Sequence, residues 1–87
     1  MITPTIGRIM WYWPVKEERT DQPMAAIVTY VWNDYLIDLT VFTSSMPIPV
    51  QSVPIVQDGS PYTVNDSPYV EWMPYQIGQA KKNEKTK

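Results

Sequence analysis

The sequence predicts a small all-β protein, a five-stranded SH3-like barrel with a disordered C-terminal tail. Three observations carry that prediction. Nine prolines and three glycines punctuate the chain, leaving almost no stretch long enough for an uninterrupted helix. The runs between them are short, rich in β-branched and aromatic residues, and alternate in polarity. The 87 residues suffice for one domain, with no cysteine to staple it. The alternative with the same strands is an open antiparallel sheet completed by oligomerisation, a common recourse of short unstapled chains.

Five strands are expected. The first is Ile6 to Trp13, stopped by Pro14, with Ile9 and Trp11 on one face and Arg8, Met10 and Tyr12 on the other. After a charged loop (Lys16 to Gln22) the second runs from Met24 to Trp32. Asn33-Asp34 is a turn pair tolerant of the left-handed region. The third strand, Tyr35 to Phe42, sets Ile37, Leu39 and Val41 against Asp38 and Thr40. Pro47 to Val56 holds three prolines among apolar residues and reads as a bent or bulged edge strand, since proline cannot donate to a central ladder. Gln57 to Pro68 is rich in turn signals. Tyr69 to Met73 closes the sheet before Pro74. Residues 1–77 are thus the domain, and 78–87 a disordered, solubilising basic tail.

Charge and composition exclude several functions. Residues 1–79 hold three cations against eight acids, a balance of −5, while 80–87 carry four lysines and one glutamate, a balance of +3. An acidic body without clustered cations is a poor ligand for nucleic acid. The absence of histidine and cysteine removes Ser-His and Cys-His nucleophiles and the commonest metal ligands. The acids are scattered, and no phosphate-loop or dinucleotide motif occurs, so no metal, cofactor or catalytic residues are expected. The protein reads as a non-enzyme. The opening has no leader pattern and no segment is apolar enough to span a membrane, which predicts a soluble intracellular protein.

The anomaly is aromatic: four tryptophans and six tyrosines against one phenylalanine. Buried Trp and Tyr need partners for their N–H and O–H groups, so this excess points to interfaces and ligand pockets as well as core. A Trp/Tyr surface could stack a base, cage a cation or bury a protein partner.

Three ordered blocks carry a family resemblance: TIGRIMWYWP at Thr5–Pro14, PMAAIVTYVWNDYLIDLTVF at Pro23–Phe42, and YVEWMPYQ at Tyr69–Gln76. Over about Thr5–Gln76 they resemble a family of short proteins from tailed bacteriophages and prophages, with a GRI…Y opening, an AAIV middle ending in a hydrophobic-x-VF run, and a tryptophan followed by proline. The resemblance implies an accessory phage protein acting in the cytoplasm of the infected bacterium. At the level of class it is similar to homo-oligomeric anti-defence proteins that sequester nucleotide immune signals, such as cyclic dinucleotides or ADP-ribose derivatives. On that reading Trp11, Tyr12, Trp13, Trp72 and Tyr75 are candidates to stack the base, Arg8 to hold phosphate, and Asp38 or Gln76 to read ribose hydroxyls or the base edge. The alternative is an SH3-like interaction module whose aromatic face, or proline-rich edge strand, grips a host protein. That reading expects Trp72→Ala to abolish binding while the fold survives.

Overall fold

The computed structural model describes the backbone of residues 1–85 and the side chains of residues 1–82. Five antiparallel strands curl into a half-barrel: β1 (Ile9–Trp13), β2 (Met24–Asn33), β3 (Leu36–Phe42), β4 (Pro47–Pro54) and β5 (Tyr69–Glu71), in the order β4-β3-β2-β1-β5. A helix, α1 (Pro74–Lys85), follows. The strands fall where alternation and proline spacing put them, apart from their ends.

The register explains the core. Met10 stands opposite Ala26, and Ala26 opposite Val41, giving one inward row across β1, β2 and β3. Val28, Leu39 and Val50 form the next row. The inward residues of β3, namely Ile37, Leu39 and Val41, are all buried, as their alternation with Asp38 and Thr40 demands. The two edges of the sheet approach each other where Ile55 bridges Val70 in parallel and the Val56 amide donates to the Val70 carbonyl at 2.9 Å. That contact turns a curled sheet toward a barrel.

Local chemistry sets the strand ends. β1 begins three residues later than its pattern suggests, because Ile6-Gly7 form a turn in which Gly7 takes φ 94°. The chain before β1 still follows β2, with the Gly7 amide donating to Val28 O (2.8 Å) and Val28 N to Arg8 O (2.9 Å). At the β2–β3 turn the Tyr35 amide donates to Asn33 Oδ1 at 2.8 Å, so the turn residues are Asp34 and Tyr35. β4 is bulged, as an edge strand with three prolines should be: its register with β3 shifts between Ile37 and Leu39, and Ser52 sits at φ 55°.

The helix corrects the expectation of a disordered tail beginning at Gly78. Residues 78–85 continue a helix that starts at Pro74, and 86–87 lie outside the described residues. Proline is favoured at the first helical position, where its missing N–H costs nothing. Gln76, two residues on, reaches back so that its Oε1 accepts from the Met73 amide at 2.8 Å, the return half of a capping box. Pro74 therefore ends β5 and starts α1. No helix among the described residues is long and apolar enough to cross a membrane.

Arg19 fastens the long loop before β5. Its Nε donates to Pro14 O at 2.8 Å, one terminal nitrogen donates to Asn65 O (2.6 Å) and Ser67 O (2.8 Å), and the guanidinium lies 5.1 Å from the centre of the Tyr69 ring. A lysine could keep the charge but not this fork. Arg19→Lys is expected to cost about 1–2 kcal/mol, read as a fall in the melting temperature of roughly 4–8 °C per kcal/mol for a domain of this size. An unchanged midpoint would show that the loop holds without the fork.

Candidate functional site

The eight side chains singled out by sequence divide into three groups. Two belong to the core: Trp72 is 1% exposed and Tyr12 is 8% exposed. Neither offers a face to a ligand, so the structure removes both from the stacking set. The reason is local. β1 turns Met10 and Tyr12 inward, opposite Ala26 and Val70 respectively, and Trp72, the residue after β5, joins the same core cluster. Among the described residues the Trp72 Nε1–H has no hydrogen-bond partner, an unusual state for a buried indole.

Three residues sit on the outer face of the sheet. Trp11 is half-buried, with Ala25 on one side and Glu71 on the other. Trp13 donates from Nε1 to Glu71 Oε2 at 2.5 Å and stacks on Tyr69, with ring centres 6.4 Å apart and 21° between planes. Asp38 accepts at Oδ1 from Trp32 Nε1 and from the Ser52 amide, both at 2.8 Å. These residues face away from the core and do not converge with Arg8.

The remaining three, Arg8, Tyr75 and Gln76, are brought together although 67 positions separate the first from the second. With Ile2, Gln79 and Ala80 they line a groove of about 320 Å³ between the first turn of α1 and the chain leading into β1. The Tyr75 ring is 74% exposed and Arg8 is exposed. Among the described residues Arg8 has no ion-pair partner, whereas Lys16 faces Asp66 at 3.9 Å. Gln76 is held rigidly: its Nε2 donates to Ile9 O at 2.9 Å while its Oε1 caps the helix. That pair of bonds ties the start of α1 to β1, beside Tyr75 and Arg8 in the chain.

The opposite wall is Ile2, which the sequence reading did not select. The Gln57 amide grips it at both ends, accepting from Ile2 N and donating to Ile2 O, each at 2.9 Å. A second hollow of about 340 Å³, lined by Ile2, Gln57, Ile77, Ala80 and Lys81 among others, adjoins the groove across Ile2 and Ala80. Together they make one trough with an aromatic ring and a guanidinium at one end, and Met1 and Ile77 beside the charged Asp58 and Lys81 at the other. Such a trough suits a flat ring with an anionic arm.

Titration bears on the fold more than on the groove. Burial, and secondarily the nearby Glu18, pushes the Tyr12 hydroxyl above its ordinary value. Burial, with Glu71 reinforcing and Arg19 opposing, does the same for Tyr69. A group whose folded pKa is raised contributes stability that is fully present below the unfolded value and is lost as pH rises through the folded one. The melting temperature should therefore fall above about pH 10, the usual tyrosine range. Tyr12→Phe should make that fall shallower, with Tyr69 still supplying part of it; an unaltered alkaline limb in the variant would assign the fall to other groups.

Comparison of the chain with known protein families, characterised proteins and solved structures gives no match to any of them. The groove and the outer face are therefore read from their own chemistry.

Proposed function

We propose that this protein is a non-catalytic binder that sequesters a nucleotide-type ligand in the groove between α1 and the lead-in to β1. The observation that carries the reading is the convergence of Arg8, Tyr75 and Gln76 on one groove of about 320 Å³. The exposed Tyr75 ring supplies a stacking face, and base–aromatic stacking tolerates any base. Arg8 is free to donate to phosphate oxygens in charge-assisted bonds. A single arginine suits one phosphate or pyrophosphate; the acidic body disfavours a polyanion. The phage resemblance supplies the setting: an accessory protein that removes a nucleotide immune signal in the infected bacterial cytoplasm. Assembly into a homo-oligomer would pool one such groove from each copy.

The test is thermal unfolding of the purified protein with cyclic dinucleotides, ADP-ribose and its cyclic isomers. A ligand at about 100 times its dissociation constant adds roughly 2.7 kcal/mol to the native state. The midpoint should rise by roughly 10 °C or more. A flat panel overturns the nucleotide reading.

One observation favours a second reading, an interaction module. The outer face of the sheet leaves Ile9 and Phe42 each 49% exposed, close to the partly buried Ile27 and Trp11. A contiguous apolar patch of this kind marks a protein contact. Strand addition at β4 is the less suitable route, because Pro47, Pro49 and Pro54 have no N–H to give.

A further inference from the structure

A second constellation lies on the outer face of the β2–β3 hairpin, away from the groove and independent of the nucleotide reading. Tyr30 and Asp38 are direct cross-strand partners. Asp38 points outward because its neighbours Ile37 and Leu39 point in. Tyr30 and Trp32 meet edge to face, with ring centres 4.7 Å apart and 69° between planes. Both rings remain largely in solvent, Tyr30 at 49% and Trp32 at 56% exposure. Two large aromatics held in a fixed geometry, yet left half uncovered, have no role in the core.

The carboxylate beside them is fixed just as firmly. Asp38 Oδ1 takes both the Trp32 indole N–H and the Ser52 amide at 2.8 Å. Both donors fall on one oxygen, and Oδ2 makes no hydrogen bond to the described residues. Ser52 is the one non-glycine among the described residues with positive φ, at 55°. That conformation costs energy in a residue with a Cβ and persists only where the surroundings enforce it. Here the β4 bulge and the Asp38 bond enforce it, and the result is a carboxylate oriented with one oxygen spare.

An oriented carboxylate with a spare oxygen, set against exposed Trp and Tyr faces, is the chemistry that recognises a cation. Arginine fits better than lysine. Its planar guanidinium is weakly hydrated, stacks on aromatic faces and still offers an N–H to a carboxylate. At this site the Asp38 carboxylate repels phosphates and acidic segments. Arg8 and Arg19 of the same chain are placed elsewhere, in the groove and in the Tyr69 clamp. We propose that Tyr30, Trp32 and Asp38 form a docking site for an arginine side chain of a partner protein.

The experiment uses the full chain labelled with nitrogen-15 and follows the Trp32 indole N–H and the Ser52 amide. The probe is the tripeptide acetyl-Gly-Arg-Gly-amide. Its control carries citrulline, which has nearly the same shape and no charge. The arginine peptide should shift both resonances saturably, and added salt should weaken the effect. The citrulline peptide should bind at least about tenfold more weakly. Asp38→Asn leaves a carbonyl oxygen for both N–H donors, so the bulge is retained while the charge is lost; it should reduce the arginine response by about tenfold or more. Tyr30→Leu, which removes one ring and breaks no hydrogen bond of the described structure, should weaken it as well. The proposal is overturned if the arginine peptide leaves both resonances unmoved. It is equally overturned by an equal response to citrulline, or by full binding in a folded Asp38→Asn protein.

Discussion

Trp72→Ala should lower the melting temperature by roughly 12–24 °C. Trp72 is the largest of the fully buried side chains, and truncating a buried Trp to Ala costs about 3–5 kcal/mol. Part of that loss is offset, because the variant also removes a buried N–H that has no partner among the described residues, a group whose desolvation costs about 1–3 kcal/mol. A net cost of about 3 kcal/mol, at roughly 4–8 °C per kcal/mol, gives the range above. For an 87-residue chain, whose total stability is roughly 0.05–0.15 kcal/mol per residue, the loss is a large fraction of the whole. Trp72→Phe separates the two contributions. It keeps an aromatic ring and deletes the donor, so its stability should lie within about 1.5 kcal/mol of the parent. Circular dichroism melts of the two variants decide the matter. An alanine variant that melts within a few degrees of the parent would return Trp72 to the surface, where the interaction-module reading had put it.

That residue also marks where sequence reasoning stopped. Alternation worked wherever a strand was long enough to have a period. It separated Ile37, Leu39 and Val41 from Asp38, and it set Trp11 and Trp13 on the face opposite Tyr12. Prolines identified the bulged edge strand for the physical reason that they cannot donate to a ladder. Alternation names two faces without saying which is inside, so Tyr12 stayed among the ligand candidates although β1 buries it with Met10. Trp72 lies beyond the end of a three-residue strand, where there is no period to read.

The groove was half legible. Arg8, Tyr75 and Gln76 were chosen for their chemistry, and their convergence depends on a helix that composition concealed. A glycine and a run of lysines made residues 78–87 look unstructured, while proline looked like a strand stop alone. The signal present was Pro74 followed by Gln76, the first and third helical positions, where proline is preorganised and glutamine can return a bond to the cap. The pairing of Gln57 with Ile2 left no trace, since a side-chain amide binding a distant backbone has no spacing rule.

Loss of both Arg8 and Tyr75 should weaken nucleotide binding about 50-fold or more without disturbing the fold. The stacking face is worth about 1–3 kcal/mol per base, and a hydrogen bond to a charged group about 1.5–3 kcal/mol. The two side chains line one groove, so their contributions are coupled and do not simply add. Even the lower figures give Arg8→Gln/Tyr75→Ala a loss of affinity of about 50-fold or more. Both side chains are exposed, so the unliganded stability should stay within about 0.5 kcal/mol of the parent. Tyr75→Phe keeps the face and should bind nearly as the parent does, which distinguishes stacking from a bond to the hydroxyl. Raised salt should weaken the parent more than Arg8→Gln, because the arginine–phosphate attraction is screened. The readout is calorimetric titration with whichever nucleotide moves the melting curve. Parental affinity in the double variant would leave nucleotide binding standing but exclude this groove as its site. The exposed Tyr30–Trp32 pair of the hairpin, or the half-buried Trp11 and Trp13, would then have to supply the stack.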